Sequence, residues 1–219
     1  MLGVTGAPKR YAYLRDPQAI YRRSAAIIRS ETDLAALPAA LRPLALRLVH
    51  AAGDPALAKD LAWSKGAVAA GRAALAAGAP VLVDAAMVAA GIIARRLPAK
   101  NRVLCFLGEP RVPALARRLA TTRSAAAVEL WRPHLEGAVV ALGNAPTALF
   151  HLLEMIAAGA PLPALVLGFP VGFVGAAESK AALIQNRLGL SFIALRGRRG
   201  GSALAAAAVN ALAGEDIAS

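Results

Sequence analysis

The chain has 219 residues, of which 58% are hydrophobic and 17% charged, and its formal net charge is +12. This length suits one α/β domain, and so large an apolar fraction excludes an intrinsically disordered protein. No apolar run reaches the roughly 18 to 20 residues that a membrane span needs, and the first residues lack a signal-peptide core. We therefore expect a single domain over residues 1–219 of a soluble, cytoplasmic protein, with residues 1–12 flexible.

The excess of 25 Lys and Arg over 13 Asp and Glu predicts a negatively charged partner. Most of these cations are Arg, which binds carboxylates through paired hydrogen bonds, although a codon bias toward Arg and Ala explains the composition equally well. The lone Cys105 lies in an apolar run and is typical of a small core residue. The three histidines lack metal-ligand spacing, so we expect no metal and no cofactor.

Helices are predicted first along the chain. Asp16 caps a helix over Pro17–Arg29, a second helix follows Pro38 and ends near Gly53, and a third is capped by Ser64 and ends at Gly78.

Short apolar runs then alternate with helical stretches, which is typical of βαβ units around a parallel sheet. The predicted strands are Pro80–Val83, Arg102–Leu107, Ala138–Leu142, Ala164–Leu167 and Phe192–Leu195. The predicted helices among and after them are Ala85–Arg95, Pro113–Ala120, Ser124–Leu135, Pro146–Ala158, Glu178–Asn186 and Ser202–Ala213. The pattern predicts an α/β fold with a mostly parallel five-stranded sheet and helices on both faces.

Three loops are suited to a ligand, because parallel sheets bind ligands beyond the carboxyl ends of their strands, where loops enter helix N-termini. Leu142–Thr147 turns at a glycine and directs Asn144 into the crevice. Gly168–Lys180 is rich in glycine and enters a helix with a hydroxyl and a cation, but it lacks the nucleotide-binding patterns. Arg196–Ser202 has three arginines and is the strongest predicted anion site, with a solvated basic turn as the alternative.

His50 is the candidate for proton transfer, because imidazole both gives and takes a proton near neutral pH. It lies near the end of the second predicted helix, where a capping or surface role is the plainer interpretation. His134 and His151 lie among helical residues and are predicted to be structural.

Several blocks of the sequence resemble those of precorrin-8X methylmutases, and they occur in that family's order. The blocks are Tyr13–Pro17 with Ile20, Tyr21 and Ser24, then Leu48–His50, Thr122–Ser124, Gly143–Phe150, Pro170–Lys180 and Arg196–Ser202. The resemblance extends from Tyr13 to Ala213, and its GNAPTALF and PVGFVGAAESK segments are highly specific. Two places depart from the family: Gly108-Glu109 stands before Pro110-Arg111 where Arg-Asp is expected, and Ala86 lies in a block where aerobic members often have an acidic residue.

The resemblance implies an isomerase that moves a methyl group from C11 to C12 of precorrin-8X, giving hydrogenobyrinic acid in cobalamin biosynthesis. The residue matching His50 is the implied proton donor to the ring, and the active site is implied to lie at a homodimer interface. The resemblance and the three loops together predict the following substrate-binding residues: Arg15, Tyr21, Ser24, Arg123, Asn144, Thr147, Gly172, Ser179, Lys180, Arg196, Arg198, Gly201 and Ser202.

Other functions stay open at this point. A cobalt-precorrin-8 methylmutase of the anaerobic pathway, or a non-catalytic protein that binds a corrin intermediate, would carry the same motifs. The charge alone suggests a nucleic-acid binder, but an aromatic content of 5% leaves few side chains for base stacking. We therefore expect a polycarboxylate corrin precursor as the partner, and neither a nucleic acid nor a membrane.

Overall fold

Six strands form one sheet, in the order β1-β6-β5-β4-β2-β3, in the computed structural model, which describes residues 11–214. The strands are β1 (Leu61–Trp63), β2 (Val81–Val83), β3 (Val103–Cys105), β4 (Val139–Leu142), β5 (Leu165–Gly168) and β6 (Phe192–Leu195). Neighbouring strands are parallel except β1, which pairs antiparallel with β6. The five predicted strands and the mostly parallel α/β fold are confirmed, whereas the predicted count of five strands is wrong by one.

The missed strand is β1, which is too short to show an alternating pattern in the sequence. Ser64, predicted to cap the third helix, instead continues the pairing of β1 with β6. Its backbone N–H donates to the Phe192 carbonyl at 3.0 Å, and its hydroxyl accepts from the Phe192 N–H at 2.9 Å. The helix begins only at Ala67, after Gly66 with φ +80°.

The helices are α1 (Pro17–Glu31), α2 (Arg42–Ala52), α3 (Ala67–Ala76), α4 (Ala86–Gly91), α5 (Val112–Arg118), α6 (Arg123–Val128), α7 (Pro146–Ala157), α8 (Ala176–Ile184) and α9 (Ser202–Leu212). Short 3-10 turns cover Ala39–Leu41, Pro55–Asp60, Ala94–Arg96 and Glu129–His134. The predicted helix Ala85–Arg95 ends early because Asn210 of α9 binds its terminal backbone groups, donating to the Gly91 carbonyl and accepting from the Ile93 N–H. The predicted helix Ser124–Leu135 likewise divides into α6 and a 3-10 turn that contains a proline.

Helices cover both faces of the sheet, as predicted. Alternate strand residues such as Val83 and Leu167 join one core with side chains of α2, α3, α4 and α9. The intervening residues, such as Leu82 and Val166, join a second core with α7 and α8. Because the central strands are buried on both faces, their sequences are continuous apolar runs rather than alternating ones.

The direction of strand addition reverses between β2 and β4. From β4 the chain adds β5 and β6 on one side, whereas from β2 it adds β3 on the other. The crevice beyond the carboxyl ends of two such strands is the usual ligand site of an open α/β sheet. In this chain, Asp84 and Gly143 begin the segments that follow β2 and β4.

Two expectations from the sequence concern the ends of the chain and the membrane. Residues 1–10, which make up most of the segment expected to be flexible, lie outside the described residues. Over residues 11–214, no helix combines the length and apolar character that crossing a membrane requires.

Candidate active site

His50 lies in the last turn of α2 and contacts two side chains of α1. Its Nδ1 is 3.3 Å from the Ser24 hydroxyl oxygen, at hydrogen-bond distance, with the donor set by the tautomer of the ring. The Tyr21 ring centre is 6.3 Å from the imidazole centre, with the two planes tilted by 59°. All three side chains are partly buried. The structure therefore brings together three of the predicted site residues.

The local sequence explains why these residues meet. Asp16 caps α1 by accepting from the Gln18 and Ala19 N–H groups, and the spacing of Tyr21 and Ser24 places both on one side of that helix. Helix α2 ends at Gly53, which has φ +64° in the left-handed region. Its last carbonyls favour a positive charge in that turn, where His50 lies.

Asp84 holds the loop between β4 and α7. Its carboxylate accepts from the backbone N–H groups of Gly143, Asn144 and Ala145, at 2.9, 2.9 and 2.7 Å. Free amides at the start of a helix favour an anionic ligand, but here they bind a carboxylate of the protein itself. Burial raises the pKa of the Asp84 carboxyl, against the opposing effect of the three hydrogen bonds. The Asn144 side chain is left exposed beside the crevice.

The loops after β5 and β6 pack against each other with almost no space between their backbones. Gly201 donates its N–H to the Phe169 carbonyl at 2.8 Å, and Gly172 donates to the Arg198 carbonyl at 3.2 Å. A Cβ at Gly200 would lie 2.3 Å from the Phe169 carbonyl oxygen. The β4 loop adjoins them, since a Cβ at Gly143 would lie 2.7 Å from the Ser202 Cα. The three predicted ligand loops thus form one continuous surface.

Arg199 joins this surface to the segment that follows α2. Its guanidinium forms ion pairs with Asp54 and Asp60, and the Arg196 N–H donates to the Asp60 carbonyl at 2.8 Å. Asp54 lies four residues after His50, so the predicted anion loop is anchored beside the end of the helix that carries the histidine. One of the three loop arginines therefore binds the protein, and the side chains of Arg196 and Arg198 lie exposed.

Ser179 and Lys180 lie beneath the loops. Both are fully buried: the Ser179 hydroxyl donates to the Ala176 carbonyl, and the Lys180 ammonium donates to the Arg199 carbonyl. Burial lowers the pKa of Lys180 to about 8. In the structure both side chains support backbone, and direct substrate binding by either stays a prediction.

The remaining predicted residues form two further groups. The Thr147 and Thr122 hydroxyls are 2.8 Å apart, which joins the start of α7 to the start of α6, where Arg123 is exposed. Arg15 lies before α1, with its guanidinium carbon 4.7 Å from the centre of the Tyr13 ring.

The remaining histidines and the cysteine have other partners. The His151 Nε2 is 2.8 Å from the Glu129 carboxylate, and the His134 ring stacks on Phe106 with centres 5.6 Å apart. Cys105 is half-buried in β3, where burial raises its pKa. Across residues 11–214, no group of His, Cys, Asp and Glu side chains is arranged to hold a metal ion.

Sequence reasoning missed Asp84, although the signal was present. An ionisable residue directly after the buried run Val81–Val83 stands at the carboxyl edge of the sheet, where its charge needs partners. The ion pairs of Arg199 had no comparable signal, because residues 54 and 60 are far from it in the sequence.

The fold and the arrangement of these residues define the class of the protein. A doubly wound, mostly parallel sheet whose loops meet at the carboxyl ends of its strands is an open α/β domain, a class that binds ligands at that edge.

Comparisons with known proteins narrow this class. The family model described as precorrin-8X methylmutase matches residues 19–215. The chain is 64% identical to the precorrin-8X methylmutase of Pseudomonas aeruginosa over 93% of this chain and 98% of that protein. It is 57% identical to the precorrin-8X methylmutase of a Sinorhizobium species over 93% of this chain and 97% of that protein. The crystal structure of the Thermus thermophilus precorrin-8X methyl mutase superposes with a TM-score of 0.81, at 42% identity, covering 90% of this chain and 94% of that one.

The chain belongs to the precorrin-8X methylmutase family, so the resemblance of its sequence blocks is confirmed. It is an enzyme, an isomerase of cobalamin biosynthesis.

Proposed function

We propose that this enzyme moves a methyl group from C11 to C12 of precorrin-8X, with His50 as the proton donor. The observation that carries the proposal is the contact of His50 with Ser24 and Tyr21 at the end of α2. That end is joined to the loop 196–202 through the ion pairs of Arg199.

The geometry supports a defined role for His50 and for Ser24. When His50 is an imidazolium, its Nδ1–H donates to the Ser24 oxygen, which fixes the ring and leaves Nε2–H to face a ligand. That proton adds to the conjugated macrocycle and selects the tautomer from which the methyl group migrates. Loss of a proton from the ring after migration restores the histidine, so the net reaction is an isomerisation.

The substrate carboxylates are held by side chains more than by backbone. Because Asp84 already binds the amides of residues 143–145, we assign the carboxylates to Arg196 and Arg198, and to Arg123 and Arg15 at the rim. Asn144, Thr147, Gly172, Gly201 and Ser202 complete the proposed binding surface, with Ser179 and Lys180 beneath it.

A homodimer with the active site at its interface completes the proposal. Helix α1 carries Tyr21 and Ser24, yet Ala25 is its one buried residue. Ile20 and Ile27 are 45% and 46% exposed, and they line a shallow cavity of about 270 Å³ together with Ser24. An apolar helix face beside the catalytic cluster supports a second copy of the chain packed over it.

The metal-free substrate is favoured by the pattern of relatives. Proteins named precorrin-8X methylmutase are 64% and 57% identical to the chain, whereas the Methanothermobacter thermautotrophicus cobalt-precorrin-8 methylmutase is 37% identical. We place the enzyme in the cytoplasm, the compartment in which a pathway of free anionic intermediates is enclosed.

The test is to incubate the purified protein with precorrin-8X and, separately, with cobalt-precorrin-8. We expect the visible spectrum of precorrin-8X to change as ring conjugation changes, while the mass of the compound stays the same. Conversion of the cobalt compound alone would contradict the choice of substrate. Binding of precorrin-8X without a spectral change would instead identify a non-catalytic binding protein.

A further inference from the structure

The loop after β5 ends in an apolar tip, residues 171–174. The side chains of Phe173 and Val174 are 83% and 89% exposed to solvent. Gly172 and Gly175 flank them with φ of +144° and +78°, so the backbone turns the tip outward. Two large apolar side chains lie exposed together beside the proposed ligand surface. Such a patch indicates a binding site in which a bound ligand would cover them.

The base of the tip is fixed to the arginine loop. Gly172 donates its N–H to the Arg198 carbonyl, and the Arg198 guanidinium carbon lies 5.4 Å from the centre of the Phe173 ring. This distance is within the range of about 6 Å over which a cation is attracted to an aromatic face. The ring therefore holds a guanidinium beside an exposed apolar surface.

This combination fits a particular kind of ligand. A flat conjugated macrocycle with carboxylate side chains offers an apolar face and an anionic rim a few ångströms apart. We propose that Phe173 binds the apolar face of the macrocycle and that its contact with Arg198 holds the guanidinium for a carboxylate at the rim. The inference rests on the proposed function and adds a binding residue to it.

The test is a titration with hydrogenobyrinic acid, followed by visible absorption. Phe173→Ala is expected to raise the dissociation constant about tenfold, because burial of roughly 50 Å² of apolar surface is lost. Phe173→Tyr keeps the ring and is expected to stay within about twofold of wild type. Leu162→Ala is the control, because Leu162 is 47% exposed and precedes β5 at the opposite edge of the sheet.

A double-mutant cycle tests the link to Arg198. If Phe173 positions the guanidinium, Arg198→Gln weakens binding less in the Phe173→Ala background than in wild type. Independent effects of the two substitutions would overturn the positioning role.

Other outcomes separate the inference from the proposed function. If wild type isomerises precorrin-8X and Phe173→Ala binds product normally, only the inference is overturned. If sedimentation shows that Phe173→Ala dissociates a dimer, the tip is covered by a second copy, which also overturns it. If wild type does not bind hydrogenobyrinic acid, the inference and the proposed function fail together.

Discussion

At the scale of single residues, Asp84 organises the crevice between β2 and β4. Its side chain is buried, and it accepts three backbone N–H groups from one loop. A carboxylate in this position neutralises the donors at the start of α7, which otherwise attract anions. Asp84 therefore fixes the position of the Asn144 backbone. It also occupies the loop amides, so they are not free to bind a ligand.

Asp84→Asn should lower the free energy of unfolding by about 2–3 kcal/mol, since the amide NH₂ cannot accept and at least one buried donor loses its partner. Urea unfolding at pH 7 measures the change. Asp33→Asn is the matched control, because Asp33 is exposed and accepts from the Ala35 N–H. Equal stability of the two variants would contradict the role of Asp84.

Lys180 gives the protein a stability that depends on pH. Burial lowers its pKa to about 8, whereas the unfolded chain holds the proton to about pH 10.4. Between these values the unfolded state binds more protons, so stability rises with pH, by at most about 3 kcal/mol. Below about pH 8 the cost of burying the ammonium is constant.

Urea unfolding of wild type and Lys180→Met at pH 7.5 and pH 10 isolates this effect. We expect wild type to gain stability relative to the Met variant at the higher pH, because Met does not titrate. A difference between the two proteins that is the same at both pH values would show that the buried ammonium carries no such cost.

At the scale of elements, the packing of the β5 and β6 loops depends on a glycine. Gly200→Ala places a Cβ 2.3 Å from the Phe169 carbonyl oxygen, a backbone atom that cannot rotate away. We expect the loops to separate, with a loss of about 1–3 kcal/mol in unfolding free energy and weaker binding of hydrogenobyrinic acid.

Gly108→Ala is the control for that experiment, because no atom lies within 4 Å of a Cβ at Gly108. Thermal unfolding and product titration of both variants make the comparison. Normal binding by a Gly200→Ala protein would mean that the two loops do not act as one surface.

The sequence predicted those elements that carry a clear local signal, either a run of apolar residues or a helix cap. The five parallel strands were visible as apolar runs, and helix α1 was marked by Asp16 and Pro17. Strand β1 was not, because three residues show no periodicity and its pairing partner β6 lies 131 residues on, from Leu61 to Phe192.

The residues of the candidate site could likewise be predicted only in part. The arginine loop could be chosen from residue chemistry, and His50 only with the help of the family resemblance. Their connection through Arg199 and Asp54 could not, because it depends on contacts between distant parts of the chain. The exposure of Phe173 was equally hidden, because the sequence of a glycine-rich loop does not fix which of its apolar side chains face solvent.

At the scale of the whole molecule, the proposed dimer determines whether the active site is complete. Ile27→Glu places a charge on the exposed apolar face of α1, and burying that charge in an interface is costly. We expect sedimentation to show a monomer at concentrations at which wild type is a dimer, with kcat/KM reduced in parallel.

Leu162→Glu adds the same charge at the opposite edge of the sheet, at a residue that is 47% exposed, and should change neither quantity. A wild-type monomer with full activity would contradict the shared active site. An Ile27→Glu variant that is still a dimer would contradict the placement of the interface on α1.

The most direct measurement is a single turnover of bound precorrin-8X by the His50→Ala variant. We expect the variant to bind substrate and product within about threefold of wild type, because the loops that hold the carboxylates are unchanged, and to convert substrate about 10²–10⁴-fold more slowly, because the proton donor is gone. Conversion at the wild-type rate would show that His50 is not the proton donor.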